Sequence, residues 1–231
     1  MLRCLMNNEK IIVVGDLHGQ FGQLNRLIAE TKPGIVLSVG DFGWYPRDFN
    51  TLYKDSTGRL RRWNVEFKNK TTKVYWAPGN HEDWWSLNDL TDNEVFPNIF
   101  YMKRGSTLVL PDGRTVLFMG GAYSIDKKYR TLGRDWFPEE TITQADIENL
   151  PDTNVDMVIS HTAPNEFNVV DYHEEYGHDP SRDALSYILE KYHPKRFVFG
   201  HMHKYQHGFY NGCIWTCLSY AGHSDRWWVE L

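Results

Sequence analysis

Lys10-Ile11-Ile12-Val13-Val14-Gly15-Asp16-Leu17-His18-Gly19 is the stretch from which the rest of the chain is read. Ile11 to Val14 is a short, unbroken, β-branched run, the pattern of a strand covered on both faces. Gly15 ends it, and an aspartate and a histidine follow at once. Gly15 and Gly19 leave room for a tight turn and for close approach of other backbone. Leu24, Leu27 and Ile28 then recur at helical spacing, which predicts a helix over Phe21–Thr31 that Pro33-Gly34 breaks. Strand, turn and helix in this order open a βαβ unit, and in such sheets ligands gather at the C-terminal strand ends.

The same grammar returns four times. Ile35–Val39 leads into Gly40-Asp41, and Lys73–Ala77 into Gly79-Asn80-His81-Glu82. Val155–Ser160 leads into His161, and Arg196–Phe199 into Gly200-His201-Met202-His203. Side chains remote in sequence are therefore expected to meet at one sheet edge. Aspartate and histidine are both good ligands for Mn, Fe, Zn, Co or Ni. Asp16 and His18 are two apart, as are His201 and His203, so each pair is expected to point one way if strand geometry persists. Asp41 is a lone carboxylate of the kind that bridges two cations, and Asn80 offers a neutral amide oxygen. Two divalent ions set against Asp16, Asp41 and one hydroxide leave about one positive charge, a balance that favours a phosphate anion. Taken singly, each motif has a plainer reading: a structural histidine, a loop aspartate, a turn. The ordered set, each at a strand end, has the composition of a two-metal centre.

The chain of 231 residues suits one large α/β domain over residues 1–231, without a second core. Apolar residues at 41% and charged residues at 24% are ordinary for a soluble globular protein. A net charge of −5 argues against a broad electrostatic grip on nucleic acid. Cys4, Cys213 and Cys217 form no CxxC pair or disulfide framework and read as reduced apolar filler. No stretch approaches the roughly 20 apolar residues that a membrane span needs. Met1–Lys10 lacks the apolar centre of a signal peptide, so the expected location is cytoplasmic. Met6 is an alternative start to Met1.

Further along, the pattern predicts a helix around Leu60–Lys68 and a hairpin of Thr107–Leu110 with Arg114–Met119 around Pro111-Asp112-Gly113. Gly120-Gly121 marks a close backbone approach. Helices are expected over Pro138–Leu150 and Ser181–Tyr192. Tyr205–Tyr210, Cys213–Leu218 and Trp227–Glu230 read as antiparallel strands joined by Asn211-Gly212 and Ala221-Gly222. Parallel units first and hairpins later favour a mixed, two-sheet α/β architecture with outer helices. Asp126-Lys127-Lys128 with Arg130 and Arg134 is the clearest basic cluster. It reads as a substrate-binding loop, because guanidinium forks match phosphate oxygens, or else as a solvated charged segment. Trp44, Tyr45, Trp84, Trp85 and Tyr123 closely follow the motifs. They are candidates for stacking on a nucleobase, at roughly 1–3 kcal/mol each, or for ordinary packing. His173, His178, His193, His207 and His223 fit no motif and read as surface or structural, although His207 shares strand parity with His203.

From Gly15 to His203 the motif set resembles the calcineurin-like metallophosphoesterase superfamily. The resemblance implies a four-layer α/β/β/α sandwich with two divalent metal ions at the strand ends. One ion would be held by Asp16, His18, Asp41 and His203, and the other by Asp41, Asn80, His161 and His201, with Asp41 bridging. His81 would contact the phosphate and act as general acid after attack by a metal-bridging hydroxide. Glu82 and Asp83 are near enough in sequence to orient His81 or raise its basicity, or to form an acidic pair at a helix N-terminus. The serine/threonine protein phosphatase branch has GDxxDRG as its second motif. Here Gly40-Asp41-Phe42-Gly43-Trp44-Tyr45-Pro46 puts Trp44 and Tyr45 where that branch has Asp and Arg, which weakens a protein phosphatase reading. The expected activity is a metal-dependent phosphoesterase, a phosphodiesterase on a nucleotide or other small organic phosphate, with manganese as the first-choice ion. The alternatives are a phosphomonoesterase, a nuclease, or a non-catalytic binding module, the last disfavoured because no ligand is missing.

Overall fold

In the computed structural model, which describes residues 9–49, 52–54, 60–62, 65–68, 70–169 and 178–231, the strands fall into two six-stranded sheets and one two-stranded ribbon. In chain order the strands begin with β1 (Ile11–Val14), β2 (Ile35–Ser38), β3 (Leu52–Lys54), β4 (Leu60–Arg62), β5 (Lys73–Trp76), β6 (Glu94–Phe96) and β7 (Ile99–Tyr101). They continue with β8 (Thr107–Val109), β9 (Thr115–Met119), β10 (Met157–Ser160), β11 (Arg196–Phe199), β12 (Gln206–Tyr210), β13 (Cys213–Cys217) and β14 (Trp228–Glu230). The helices are α1 (Phe21–Thr31), α2 (Trp84–Asn88), α3 (Gln144–Glu148) and α4 (Pro180–Tyr192).

The first sheet runs β14-β1-β2-β5-β7-β6 and the second β12-β13-β11-β10-β9-β8. Each has a parallel centre, β1-β2-β5-β7 in one and β13-β11-β10-β9 in the other, with an antiparallel strand on both edges. Alternation along the strands sorts the core into layers. Ile12 and Val14 pack outward with Leu24, Leu27 and Ile28 of α1. Ile11 and Val13 pack inward with Val116, Phe118, Met157, Ile159 and Val198 of the second sheet. Leu117, Val158, Phe197 and Phe199 face away again, onto Leu185, Ile188 and Leu189 of α4. The result is the α/β/β/α sandwich. Both sheets bring the C-terminal ends of their parallel strands to the same edge, and all five motifs lie there.

Three local expectations change. Among the described residues of 60–68 there is no helix: β4 pairs with β3, and residues 65–68 run without regular structure. Phe67 packs against Phe21 and Phe42, and Asn25 of α1 clamps the segment, receiving the Lys68 N–H and donating to the Glu66 carbonyl. The helix expected over 138–150 breaks into a 3-10 turn at Pro138–Glu140 and α3. The carbonyls of Glu139, Glu140 and Thr141 accept from the Arg104 guanidinium instead of a next helical turn, and Thr143 starts α3 with a capping box. The third tail strand does not pair with the second. β13 lies parallel to β11, while β14 crosses to the first sheet and pairs with β1, so Ala221-Gly222 belongs to a crossover. The β6/β7 hairpin was not legible, since its strands are three residues each. Asn211-Gly212, with φ of 47° and 87°, closes the β12/β13 hairpin as expected. Cys4, Met6 and His173 lie outside the described residues. Among the described residues, no helix is long and apolar enough to cross a membrane.

Phe42 ties the first core to the edge that carries the motifs. It is fully buried, stacked on Trp76 at 4.5 Å and tilted against Phe21 at 5.1 Å. Phe42→Ala should lower the free energy of unfolding by about 3–5 kcal/mol in a urea titration.

Candidate metal centre

The strand geometry does not persist beyond β1 or β11. His18, Asp41, His201 and His203 have φ of 45°, 45°, 66° and 53°, the left-handed region. A non-glycine residue there costs roughly 1–2 kcal/mol and persists only where its surroundings hold it. Backbone bonds to the carboxylate residues do so here. The Asp41 carbonyl accepts from Leu17 and His18 N–H at 3.0 and 2.6 Å, and Asp41 Oδ1 accepts from His81 N–H at 2.8 Å. Asp16 Oδ2 accepts from His201 N–H at 3.0 Å, and the Asp16 carbonyl from Ala221 N–H at 2.8 Å. The motif glycines are steric necessities. A Cβ on Gly79 would lie 2.0 Å from Asp41 Oδ1, and one on Gly200 2.0 Å from Asp16 Oδ1.

Two groups of donor atoms result. Asp16, His18, Asp41 and His203 bring one ligand atom each within 4.8 Å of one another, a candidate metal-binding cluster. In it, His203 Nε2 is 3.2 Å from Asp16 Oδ2, His18 Nε2 is 3.6 Å from Asp41 Oδ2, and the two Nε2 atoms are 3.1 Å apart. The second group forms around Asn80 Oδ1, which is 3.0 Å from His161 Nε2 and 3.1 Å from His201 Nδ1. Asp41 Oδ1 joins it at 3.3 Å from His161 Nε2. Ligands held about 2.1 Å from one ion stand about 3 Å apart, so the spacing fits metal coordination. The donors are carboxylate, amide and imidazole without thiolate, which suits first-row divalent ions. His201 and His203 serve different groups, contrary to their shared parity in sequence; the left-handed turns separate them.

Charge is balanced inside the centre. Burial opposes ionisation of Asp41, yet the imidazoles of His161, His81 and His18 hold its carboxyl well below the usual range. Burial likewise opposes charge on His161, but Asp41 and Asp16 raise its imidazole to about 9. Burial and the neighbouring His161 push His201 well below the ordinary histidine value.

His81 stands beside the two groups, its ring centroid 5.4 Å from that of His18. Arg130 Nη2 lies 2.9 Å from His81 Nε2 and 2.8 Å from Asp126 Oδ1. A guanidinium only donates, so His81 Nε2 accepts and the ring is neutral in this arrangement. Burial, and the Arg130 charge with it, lowers the His81 pKa despite Asp41.

Glu82 does not orient His81. Its buried carboxylate accepts backbone N–H groups of Phe42 and Trp44, both at 2.6 Å, of Gly43 at 3.1 Å and of Gly79 at 3.4 Å. It clamps the Asp41 loop to the Asn80 loop. Burial and the Asp41 charge push its carboxyl up to about 8 against these donors. Asp83 caps α2 through the Ser86 N–H and pairs with Arg47 at 3.1 Å. Trp44 is 7% exposed, packs on Phe49, Trp76 and Phe96, and donates Nε1 to Ser86 Oγ. That burial leaves it no face for a base, which corrects the stacking expectation. Trp84 is core as well, under Arg104, whereas Trp85 is exposed beside Phe137 and Gly133. Tyr45 is half-buried near Glu82, Asp41 and Arg130, and burial raises its phenol. Lys127 sits 4.5 Å over the Tyr123 ring, and Arg134 is exposed on the same loop. His193 caps α4 and His207 lies on β12.

Tyr220 was missed. Its ring is 5.0 Å from His203, 6.4 Å from His18 and 4.7 Å from His223, so it walls the exposed flank of the first donor group. Only the β14 crossover brings it there, and its local sequence carries no signal of that. Ser124 and Glu140 were missed too: Asn80 Nδ2 donates to Ser124 Oγ at 3.0 Å, and Ser124 N–H to Glu140 Oε1 at 3.1 Å.

A family model for calcineurin-like phosphoesterases matches residues 9–205. The CWF19-like protein 1 homolog of Drosophila melanogaster is 30% identical over 118 residues, covering 48% of this chain and 20% of its own length, so the chain spans only a fifth of that relative. The crystal structure of TT1561 from Thermus thermophilus aligns over 92% of this chain and 90% of its own, at TM-score 0.53 and 11% identity. GAP50, described as the anchor in the inner membrane complex of Plasmodium, aligns over 94% and 73% at TM-score 0.51 and 11% identity. At these identities the two structures share the fold alone.

Glu82→Gln would set an amide N–H₂ against backbone N–H donors. It should lower the free energy of unfolding by about 1–3 kcal/mol by urea titration. A shifted His81 imidazole resonance without loss of stability would restore the reading in which Glu82 orients His81.

Proposed function

The chain belongs to the calcineurin-like phosphoesterase family, hydrolases of phosphoric ester bonds, and from that premise we propose that it is a two-metal phosphodiesterase acting on a nucleotide or another small organic phosphate. The observation that carries this reading is the division of Asp41. One of its oxygens belongs to each donor group, and both groups consist of oxygen and nitrogen donors, all but His203 buried or half-buried. Asp16, His18, Asp41 and His203 would hold one ion, and Asp41, Asn80, His161 and His201 the other, with Mn²⁺ the first to test. Bound there, the ions supply Lewis acidity toward phosphoryl oxygens and acidify water.

The chain's own residues do the rest. Arg130 is the guanidinium in contact with the site, and it is only 10% exposed on its side chain. A substrate phosphate offers it a better acceptor than a neutral imidazole. Its transfer to that phosphate frees His81 Nε2, which can then hold a proton and deliver it to the leaving alkoxide. A diester monoanion suits a site gripped by one such fork better than a monoester dianion would. Tyr220, with His223 tilted against it, and Tyr123 offer aromatic faces for a base or other flat leaving group. The net charge of −5 weighs against an extended nucleic acid as substrate.

The test is hydrolysis of bis-p-nitrophenyl phosphate, its monoester, cyclic nucleotides and single-stranded DNA, after chelation and again with Mn²⁺ restored. Diesters of small molecules should be cleaved, and chelation should abolish the activity. A strong monoester preference would overturn the diesterase reading, and activity indifferent to chelator would overturn the two-metal reading. His81→Ala should reduce kcat about 10²–10⁴-fold with metal content unchanged. Arg130→Ala should raise KM more than it lowers kcat, since its main partner is the phosphate.

A further inference from the structure

Asn80 is the amide donor of the centre, and an amide presents either an oxygen or an N–H₂. Only the oxygen can serve a cation. What decides between them lies outside the ligand set. Asn80 Nδ2 is 3.0 Å from Ser124 Oγ. Ser124 is 2% exposed, and its backbone N–H donates at 3.1 Å to Oε1 of Glu140, which is fully buried. An amide N–H₂ only donates, so at this contact the Ser124 oxygen accepts. With Nδ2 held there, Oδ1 faces His161 and His201.

Glu140 is itself held from behind. Arg104 takes the carbonyls of Glu139, Glu140, Thr141 and Gly120 and pairs with Asp146 at 3.1 Å. The Glu140 backbone therefore has little freedom to withdraw the carboxylate.

We propose that Ser124 and Glu140 are positioning residues that fix the Asn80 amide with its oxygen toward His161 and His201, and so set the affinity of that donor group for its cation. The inference rests on the two-metal reading above. Neither residue touches the ion or the substrate; both act through Asn80. Partners of this kind typically tune metal affinity by 10–100-fold.

The experiment is a Mn²⁺ titration of metal-stripped protein by calorimetry, with electron paramagnetic resonance to separate the two ions. The parent should bind two ions. Ser124→Ala removes one atom from a buried site and should weaken one ion about 10–100-fold while the other binds as in the parent. Glu140→Gln, which replaces the carboxyl acceptor of the Ser124 N–H with an amide, should weaken the same ion by a smaller factor. The thermal midpoint of the metal-stripped Ser124→Ala protein should stay near that of the parent. Unchanged binding of both ions in Ser124→Ala would overturn the inference and leave the two-metal reading standing. Equal weakening of both, accompanied by a fall in the metal-free midpoint, would overturn it in favour of a purely structural role. A parent that binds fewer than two ions would overturn the two-metal reading, and this inference with it.

Discussion

Two buried carboxylates, Asp16 and Asp41, hold the motif edge together. Each is almost wholly shielded from water, and each would be costly to bury ionised without partners. The partners come from other loops. The Asp41 carboxylate receives the His81 N–H of the β5 loop and the Asp16 carboxylate the His201 N–H of the β11 loop, while the main-chain carbonyls of the same two residues receive N–H groups from the β1 loop and the β14 crossover. These bonds cross-link strand ends within the first sheet and between the two sheets. The side chains that gather donor atoms therefore also fix the loops that carry those donors. Neither role can be changed alone, which is why a methyl group on Gly79 or Gly200 would strike a carboxylate oxygen.

A ring of buried charge supports this arrangement from outside. Glu82 gathers the N–H groups of the Asp41 loop, and Arg104 gathers the carbonyls around Glu140. Both answer the same problem. Loops that turn sharply at strand ends cannot satisfy their own backbone groups, and burial forbids water from doing so. A carboxylate with four donors and a guanidinium with five acceptors resolve several such groups at once. The left-handed residues His18, Asp41, His201 and His203 persist because their neighbours are over-determined in this way.

The motif-bearing strands and the convergence of the motifs at one edge were legible because each rests on local pattern. A continuous apolar run names a buried strand, and a glycine with a polar residue names its end. Helix α1 was read with approximately its observed bounds from Leu24, Leu27 and Ile28. What escaped depends on contacts between distant segments. Phe67 reads as part of a helix until Asn25 and Phe21 are seen to pin it. Trp44 reads as a binding aromatic until Trp76 and Phe96 enclose it. Glu82 reads as a partner of its neighbour His81, yet its carboxylate turns toward residues 42–44. Tyr220 enters through a crossover that local pattern read as a hairpin. The spacing of His201 and His203 misled for another reason: i, i+2 parity holds only while the backbone stays extended, and both residues turn left-handed.

The centre is asymmetric in its access to solvent, and that limits where a reaction can occur. Asn80 and His161 lie at 2% and 0% exposure, so the second donor group is closed from behind. His18 and His203 keep 27% and 45% of their side chains exposed, so the first group opens outward. Tyr220 and His223 border that opening at one side, and His81 with Arg130 stands at the other. On the proposed function, a phosphate ester entering there would meet the guanidinium and the imidazole together, with its organic part against the tyrosine. On the proposed reading, the closed group serves as a fixed anchor and the open group as the face presented to substrate. The sequence holds both sets of ligands, but only the packing of Gly40, Ser124 and Glu140 behind one set and of Tyr220 beside the other makes them unequal.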